Sequence, residues 1–448
     1  MSLFYSLNLS SQALLTFKRG LDITNKNMTN VYTDGYSRVN PVFENLHSGG
    51  VYLRKAERVF DNSLFNRVIN VNQFVVGDEA YKDILEQIEF NFNDIQGSGF
   101  SNALDSFFAS MNDVITNPDD LSARESFLHE TKNLIGRIRS SYDNLKDMKE
   151  KANLTLRDDI KKINELTAKL AKINSGIRGF FNDEARVNSY KDERDRTLKE
   201  LSSLIDIKAT FQNDGTVNVS TSKGFDLVLF DKSHNLTFET DSDSNPVIKW
   251  EGINITNELG KGKVGGIIKG VNYINDQIDR LNRFTEEFAS NINDVHDNGY
   301  DLNGNQGGDL FNYTSGNAAS DIDLAFEDPK LVAAAANSTD LAADNENMKA
   351  LLSLKDEKIA GLENLTFNEY YNNKIVAPLA FELSHTKDSL QDNRFLFEAV
   401  EQKLQEKSSV NLDEELINLT QLQRSYEAAA RIINVTDELL QTVLGLVD

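Results

Sequence analysis

Residues 408–446 read SSVNLDEELINLTQLQRSYEAAARIINVTDELLQTVLGL, and this stretch decides the fold of the chain. Apolar side chains recur in it at alternating steps of four and three residues, the spacing of a coiled-coil seam, which predicts a long amphipathic helix. A second row on one side of the seam widens the stripe and indicates contact with more than one neighbour. The seam is Leu412, Leu416, Leu419, Gln423, Tyr426, Ala430, Ile433, Asp437, Leu440, Leu444 and Val447, and the second row is Leu422, Ala429, Thr436 and Val443.

The N-terminal stretch repeats this pattern until the turn residues of TDGY, residues 33–36, end the helix. Its seam is Leu3, Leu7, Ser10, Leu14, Phe17, Leu21, Thr24 and Met28. Each buried Leu or Ile stabilises such a helix by roughly 1.5–3 kcal/mol only when a partner surface covers it. Residues 1–40 hold four basic and two acidic residues, and residues 408–448 hold two basic and seven acidic residues. We therefore expect the two ends to attract each other and to drive assembly; the alternative is that both helices dock on a central globule.

Composition excludes several classes of function. The chain has 448 residues, of which 40% are hydrophobic, so it can bury a sizeable core. Its net charge of -23 argues against a nucleic-acid or anionic-membrane partner. It has no cysteine, which removes disulfides and thiolate sites. We find neither an apolar run of a membrane span nor, in MSLFYSLNLSSQ, the features of a cleaved secretory signal.

The period of the hydrophobic pattern divides the chain. It is helical from Asp61 to Leu204, alternates from residue 207 to 257 around a hairpin signal at NDG (213–215), and becomes helical again afterwards. We predict a mainly α fold with an inserted small β module: terminal helices forming a coiled coil, a long-helix bundle body and an antiparallel β domain. The domains are 1–40 plus 408–448 for coiled-coil assembly, 41–206 plus 258–407 for the helical body, and 207–257 for the inserted β domain.

Candidate chemistry is sparse. The five histidines are scattered, and paired carboxylates are expected by coincidence in a chain with 70 acids. We therefore predict no catalytic residue, no metal site, no cofactor and no enzymatic activity. Asp301, Asn303, Asn305 and Asp309 have the spacing of a calcium loop, but Gln306 replaces its glycine and Asn312 its final glutamate, so a plain turn is favoured. The glycines of GKGKVGG, residues 260–266, are interpreted as a flexible exit from the β module.

Motifs at both ends resemble those of the flagellar hook-associated protein 1 family. NMTNVYTDGYSR, residues 27–38, is similar to the N-terminal signature N-I-A-N-x-x-T-P-G-Y-S-R, departing from it at Met28, Thr29 and Asp34. SSVNLDEE and the helix after it resemble S-G-V-N-L-D-E-E followed by Q-x-x-Y-x-A-x-A-x-x-I, with Ser409 in place of the glycine. DERD with ELSSLIDI (192–207) and NDVHDNGYDLNGNQGGDLF (293–311) are also similar to family blocks. Longer members carry a further outer β module, so this chain is expected to present a reduced outer surface.

The resemblance implies a structural subunit of the bacterial flagellum at the hook–filament junction. Members are exported uncleaved through the flagellar type III channel, so the expected location is extracellular. The implied partners are copies of the chain in a ring, hook protein, the second hook–filament junction protein and a flagellar export chaperone, with no nucleic acid and no membrane. The termini are expected to fold together into an inner tube when neighbours are present.

We expect assembly to depend on seam and signature residues. They are Leu7, Leu14, Phe17, Leu21, Asn30, Thr33, Gly35, Tyr36, Leu412, Leu416, Leu419, Tyr426, Ile433 and Leu440. Other readings stay open at this point: another flagellar axial protein (hook, rod or second junction protein), a cytoplasmic coiled-coil adaptor or chaperone, or a wall hydrolase. The sequence leaves open the ring stoichiometry and the role of the β module.

Overall fold

The computed structural model of the chain describes residues 3–33, 35–47, 49–92 and 99–445. The helices are α1 (Leu3–Thr29), α2 (Asn62–Phe92), α3 (Phe100–Thr116), α4 (Leu121–Gly179), α5 (Glu184–Leu204), α6 (Gly262–Asp297), α7 (Ala318–Asp321), α8 (Glu346–Ser353), α9 (Phe367–Tyr370), α10 (Ala377–Ser408) and α11 (Leu412–Leu444). A π-helical turn, Tyr371–Val376, joins α9 to α10. Within these described residues, short 3-10 turns lie at Thr256–Glu258, Pro329–Leu331 and Ala360–Leu362.

The strands are short and antiparallel. They are β1 (Val39–Asn45), β2 (Val51–Arg58), β3 (Ile207–Phe211), β4 (Val217–Thr221), β5 (Asp226–Leu229), β6 (Lys232–Ser233), β7 (Leu236–Thr240), β8 (Pro246–Trp250), β9 (Ile253–Asn254), β10 (Phe311–Asn312) and β11 (Asp323–Leu324). The predicted fold class, mainly α with a small inserted β module, is confirmed.

Helix α4 is the spine of the helical body, which we define as α2–α6 and α8–α10. It has 59 residues, which at 1.5 Å per residue gives a length of about 88 Å. Asp120 caps its start, because the Asp120 side chain accepts a hydrogen bond from the backbone N–H of Ser122. Its apolar face continues along its whole length and contacts a separate hydrophobic core in each half.

The core around the first half of α4 is aromatic. The rings of Phe107 and Phe288 lie 5.2 Å apart, and those of Phe288 and Phe367 also lie 5.2 Å apart, both edge to face. Edge-to-face pairs add to the stabilisation from burial alone. The fully buried rings of this core include Phe107, Phe108, Phe127, Phe284, Phe288 and Phe367.

The core around the second half of α4 includes the β module. Strands β3-β4-β5-β6 form one sheet and β7-β8-β9 another, and Val217, Val219 and Ile248 turn inward onto the helices. The sole tryptophan, Trp250, packs against Phe225 and donates its indole N–H to the carbonyl of Asp226 at 2.7 Å. The module is therefore packed on the body and shares its core.

The glycine run after the module does not form a flexible exit, contrary to our interpretation. Helix α6 begins at Gly262, and a Cβ placed on Gly266 would lie 2.1 Å from the carbonyl oxygen of Gly77 in α2. Only a glycine permits this close approach of two helix backbones. The run is thus a packing contact between α2 and α6.

The terminal unit consists of α1, the β1–β2 hairpin and α11. Gly20 faces Leu422, and Asn27 faces Glu415, so α1 and α11 run antiparallel. On its other side α1 packs on the hairpin, where the rings of Phe17 and Phe43 lie 6.2 Å apart. The hairpin, which we assigned to the helical body, therefore packs with the terminal helices.

Within the described residues, no helix is both long and apolar enough to cross a bilayer. Three positions of the sequence motifs cannot be placed. Asp34 and Val447 lie outside the described residues, as does the side chain of Leu444.

Candidate assembly site

The side chain of Asn27, the first residue of the N-terminal signature, connects α1 to the hairpin. Its Nδ2 donates to the carbonyl of Val39 at 2.9 Å, and its Oδ1 accepts from the backbone N–H of Val39 at 3.1 Å. The same Oδ1 accepts from the hydroxyl of Tyr36 at 2.9 Å. Asn27 is buried, so these bonds satisfy groups that water does not reach. They explain why an asparagine and a tyrosine occur nine residues apart in this motif.

The C-terminal signature begins α11 and contacts the N-terminal one. Asn411 caps the helix by accepting from the backbone N–H groups of Asp413 and Glu414. The acidic residues of the first turn interact favourably with the positive end of the helix dipole. Glu414 forms an ion pair with Arg38, and the Arg38 backbone N–H donates to the Ser408 carbonyl at 2.9 Å. The two signatures, which lie at opposite ends of the sequence, therefore form one site.

Glu415 is buried within this site. Its side chain hydrogen-bonds Asn27, but burial outweighs this contact and raises the pKa of Glu415 above the usual glutamate range. Burial, with the nearby carboxylates of Asp192 and Glu415, also raises the pKa of Tyr36 to about 12. Tyr36 thus stays a neutral hydrogen-bond donor at neutral pH.

Helix α1 buries small and polar residues, which allows close packing on both of its sides. A Cβ placed on Gly20 would lie 2.8 Å from Phe43 Cζ and 3.3 Å from the Leu422 side chain. The Thr16 hydroxyl, which also contacts the Gln12 carbonyl of α1 at 2.8 Å, lies 3.3 Å from the carbonyl oxygen of Val51 in β2. The hairpin and α11 therefore both approach the backbone of α1. Its buried residues are Ser10, Thr16, Gly20, Thr24 and Asn27.

Four residues of α11 are buried against α1, and each directly precedes a residue of the predicted seam in the sequence. They are Glu415, Leu422, Ala429 and Thr436, at a spacing of seven. Three of these belong to the second row that widens the stripe. The four-and-three spacing selects the neighbouring row of Leu416, Gln423, Ala430 and Asp437 instead, although two of its members are polar.

The predicted site residues are either half-buried or exposed. On α1, Leu7, Leu14, Phe17 and Leu21 are half-buried, as are Asn30 and Tyr36 in the signature. On α11, Leu419, Tyr426, Ile433 and Leu440 are half-buried at the edge of the contact with α1. The exposed ones are Thr33, Gly35, Leu412 and Leu416.

A row of apolar side chains on α11 stays open to solvent. Ile417 is 66% exposed, Val435 55% and Ile432 51%. Leu439 and Val443 continue this row and are about half exposed. Nothing in the described part of the chain covers these side chains. An exposed apolar surface of this kind marks an interaction site.

Charge contributes less to the pairing of the ends than we expected. Within the described residues, the one ion pair between the two terminal segments is Arg38 with Glu414. Lys18, Arg19 and Lys26 are exposed and take part in no ion pair within those same ranges. The closeness of α1 and α11 therefore depends on packing and on the buried hydrogen bonds.

The block at residues 293–311 forms a structural turn. The buried His296 donates from Nδ1 to the Gly308 carbonyl at 2.6 Å and accepts from the Ala333 N–H at Nε2. Burial lowers the pKa of His296, so the ring is neutral. In the candidate calcium loop, the Asp301 carboxylate accepts from the backbone N–H groups of Asn303 and Asn305, each at 2.8 Å. Within the described ranges, no cluster of three or more His, Asp or Glu residues is arranged to hold a metal.

Two family models match the chain. The model of the helical domain of the flagellar hook-associated protein FlgK matches residues 85–311. The model described as the C-terminal part of the flagellar basal body rod FlgEFG protein matches residues 401–446, which include all of α11.

Curated relatives and a solved structure are similar over most of the chain. Flagellar hook-associated protein 1 of Bacillus subtilis (strain 168) is 25% identical, over 99% of this chain and 98% of its own length. The Salmonella typhimurium protein of the same name is 22% identical, over 98% of this chain and 99% of its own length. The solved structure of the flagellar hook junction protein FlgK from Burkholderia pseudomallei is 15% identical, with a TM-score of 0.68 over 76% of this chain and 99% of that one.

Proposed function

We propose, because the chain belongs to the flagellar hook-associated protein FlgK family, that it is a structural subunit of the bacterial flagellum and forms the junction between hook and filament. The observation that carries this proposal is the terminal unit. It joins the two signatures in one buried site and leaves an apolar row on α11 uncovered. A subunit that completes its interior by packing against neighbours has this construction.

The finer assignments are part of the same proposal. The chain associates with other flagellar axial components; we propose that these are copies of itself in a ring, hook protein and the second junction protein, with an export chaperone before assembly. Family membership supports an extracellular position after export without a cleaved signal. We also propose that the chain acts by packing and has no catalytic role.

We propose the predicted domain division with one change. The hairpin, Val39–Asn45 with Val51–Arg58, is moved to the assembly domain because it packs on α1. The helical body thereby loses the hairpin residues, and the β module keeps its predicted boundaries.

Deletion of the gene tests the position of the protein. We expect cells with bare hooks in electron micrographs and flagellin lost to the medium, because filament has no junction on which to grow. Normal filaments would overturn the proposal and favour a cytoplasmic adaptor, and absent hooks would indicate a rod or hook role. Complementation with the intact gene is the control.

A charge in the terminal seam tests the assembly site. Ile433 is half-buried on α11, so Ile433→Asp is expected to abolish incorporation into sheared flagella without unfolding the body; Leu419→Asp should do the same. The matched control is Leu154→Asp, since Leu154 is 56% exposed on α4 of the body. Normal incorporation of Ile433→Asp, with an unchanged circular dichroism spectrum, contradicts the assignment.

A further inference from the structure

Arg58, the last residue of β2, contacts both the N-terminal signature and the DERD block of α5. Its Nη2 donates to the Ser37 hydroxyl at 2.8 Å, within the N-terminal signature. Its Nε donates to Asp192 at 2.7 Å, and its Nη1 lies 2.7 Å from an Asp195 carboxylate oxygen. Asp192 and Asp195 are the two aspartates of the DERD block on α5, in the body. The guanidinium also stacks on the Phe60 ring, 4.1 Å from its centroid.

The contacts continue from α5 into the β module. Arg194 donates from Nε to Asp195 at 2.9 Å and donates a further hydrogen bond to the carbonyl of Gly215, in the turn between β3 and β4. Its guanidinium lies 4.6 Å from the centroid of the Phe211 ring. One chain of ion pairs and charge-assisted hydrogen bonds therefore runs from the terminal unit through α5 to the β module.

This network contains two cations and two anions, and none of the four side chains is more than 11% exposed. Each buried charge is costly unless its partners stay in place. A rotation of the hairpin away from α5 would separate Arg58 from the buried carboxylates of Asp192 and Asp195 and leave them without this cation.

Backbone contacts beside Arg58 support the same arrangement. The Ala56 N–H donates to the Glu184 carboxylate at 2.6 Å, and Asn188 donates to the Ala56 carbonyl at 3.1 Å. Gly35, with φ +70°, lies against Arg196 so closely that a Cβ would be 2.4 Å from its Cγ. The hairpin edge and the signature loop are thus both held on α5.

We propose that Arg58 is a positioning residue that sets the angle between the terminal unit and the helical body. The network holds the hairpin on α5, α1 packs on the hairpin, and α11 packs on α1. The consequence for assembly, that neighbouring subunits receive the terminal helices at one orientation, rests on the proposed function. The angle itself does not, and it is measurable on the purified protein.

Spin labels measure this angle. The chain has no cysteine, so Asn45→Cys at the exposed end of β1 and Glu165→Cys on the exposed side of α4 give one unique label pair. Double electron–electron resonance then reports the distribution of distances between hairpin and body. The test variant is Arg58→Ala. The matched control is Arg54→Ala, since Arg54 lies on the same strand, is 55% exposed and pairs with Glu44 alone.

We expect one narrow distance in the parent and in Arg54→Ala, and loss of that narrow distance in Arg58→Ala while circular dichroism stays unchanged. Arg58→Lys keeps the charge without the three-way contact and should be intermediate. A narrow, unchanged distance in Arg58→Ala would overturn the proposal, as would a parent whose distances are already broad. If Arg58→Ala unfolds, Asp192→Asn removes one partner alone, and an unchanged distance there counts against the proposal. Bare hooks in the deletion strain concern only the proposed function.

Discussion

The helical body and the terminal unit have opposite interiors. The body is centred on rings such as Phe107, Phe284 and Phe288, each 0% exposed. The terminal unit buries Gly20, Thr24 and Asn27 in its centre, and α11 keeps apolar side chains in solvent. The apolar side chains of the body therefore bury one another. The terminal unit depends instead on close packing and a few buried hydrogen bonds, and it leaves an apolar surface exposed for neighbouring subunits. One chain thus separates a stable scaffold from an element that is completed by assembly.

The largest loss of stability is expected from a substitution in the aromatic core. Phe288→Ala removes a ring that contacts Phe107, Phe284 and Phe367, and the cavity should lower the free energy of unfolding by about 3–5 kcal/mol. Urea unfolding followed by circular dichroism measures it. Phe395→Ala on α10 is the control, because Phe395 is 76% exposed, and should change stability by less than about 0.5 kcal/mol. Equal effects of the two variants would mean that the aromatic core does not stabilise the body more than its surface does.

The next effect tests the buried hydrogen bonds of the terminal unit. Asn27→Ala leaves the Val39 backbone groups and the Tyr36 hydroxyl without their partner, and each buried polar group left unpaired costs about 1–3 kcal/mol. Hydrogen exchange should rise in peptides covering the end of α1 and β1, with body peptides unchanged. Asn25→Ala, at an exposed position of the same helix, is the control. Protection that survives in Asn27→Ala would assign the unit's stability to packing alone.

A smaller effect is expected from a side chain at the closest approach of α1 to its neighbours. Gly20→Leu places atoms where Phe43 and Leu422 already lie, and overpacking of this kind costs about 1–3 kcal/mol. Repacking around the mobile ends of these two side chains should keep the cost in the lower half of that range. Faster exchange of α1 and hairpin amides measures it, against Ser11→Leu at an exposed position. An unchanged exchange rate would show that the packing there is loose.

The smallest effect is a dependence on pH. Because burial raises the pKa of Glu415, the paired helices bind its proton more tightly than the separated ones do. Their stability should therefore fall as pH rises through the window between the ordinary and the raised pKa. Glu415→Gln stays neutral, so it should remove this fall and stabilise the pair at neutral pH.

Hydrogen exchange of α11, compared between acidic and neutral pH, measures this fall in stability. Glu427→Gln changes an exposed glutamate on the same helix and should leave the fall in place. If the fall in stability persists in Glu415→Gln, another titratable group of the terminal unit must cause it.

The sequence predicts most helices and the β module, because their periods differ clearly and breaks such as Asn117-Pro118 are strong signals. It also identifies both terminal signatures. It does not predict that Asn27 and Glu415 meet, because periodicity describes one helix face and not its partner. It also misses Arg58, since a single arginine at the end of a strand has no local signal. The four-and-three spacing predicts a seam through Leu416, yet the neighbouring Glu415 is the buried residue.

The position of Trp250 has a spectroscopic consequence. Since it is the sole tryptophan and packs within the β module against Phe225, intrinsic fluorescence reports that module, while far-ultraviolet circular dichroism reports the helices. Coincident transitions would mean that the module and the body unfold as one cooperative unit, as their shared core implies. Light emitted by one indole therefore reads the inserted module separately from the helices that surround it.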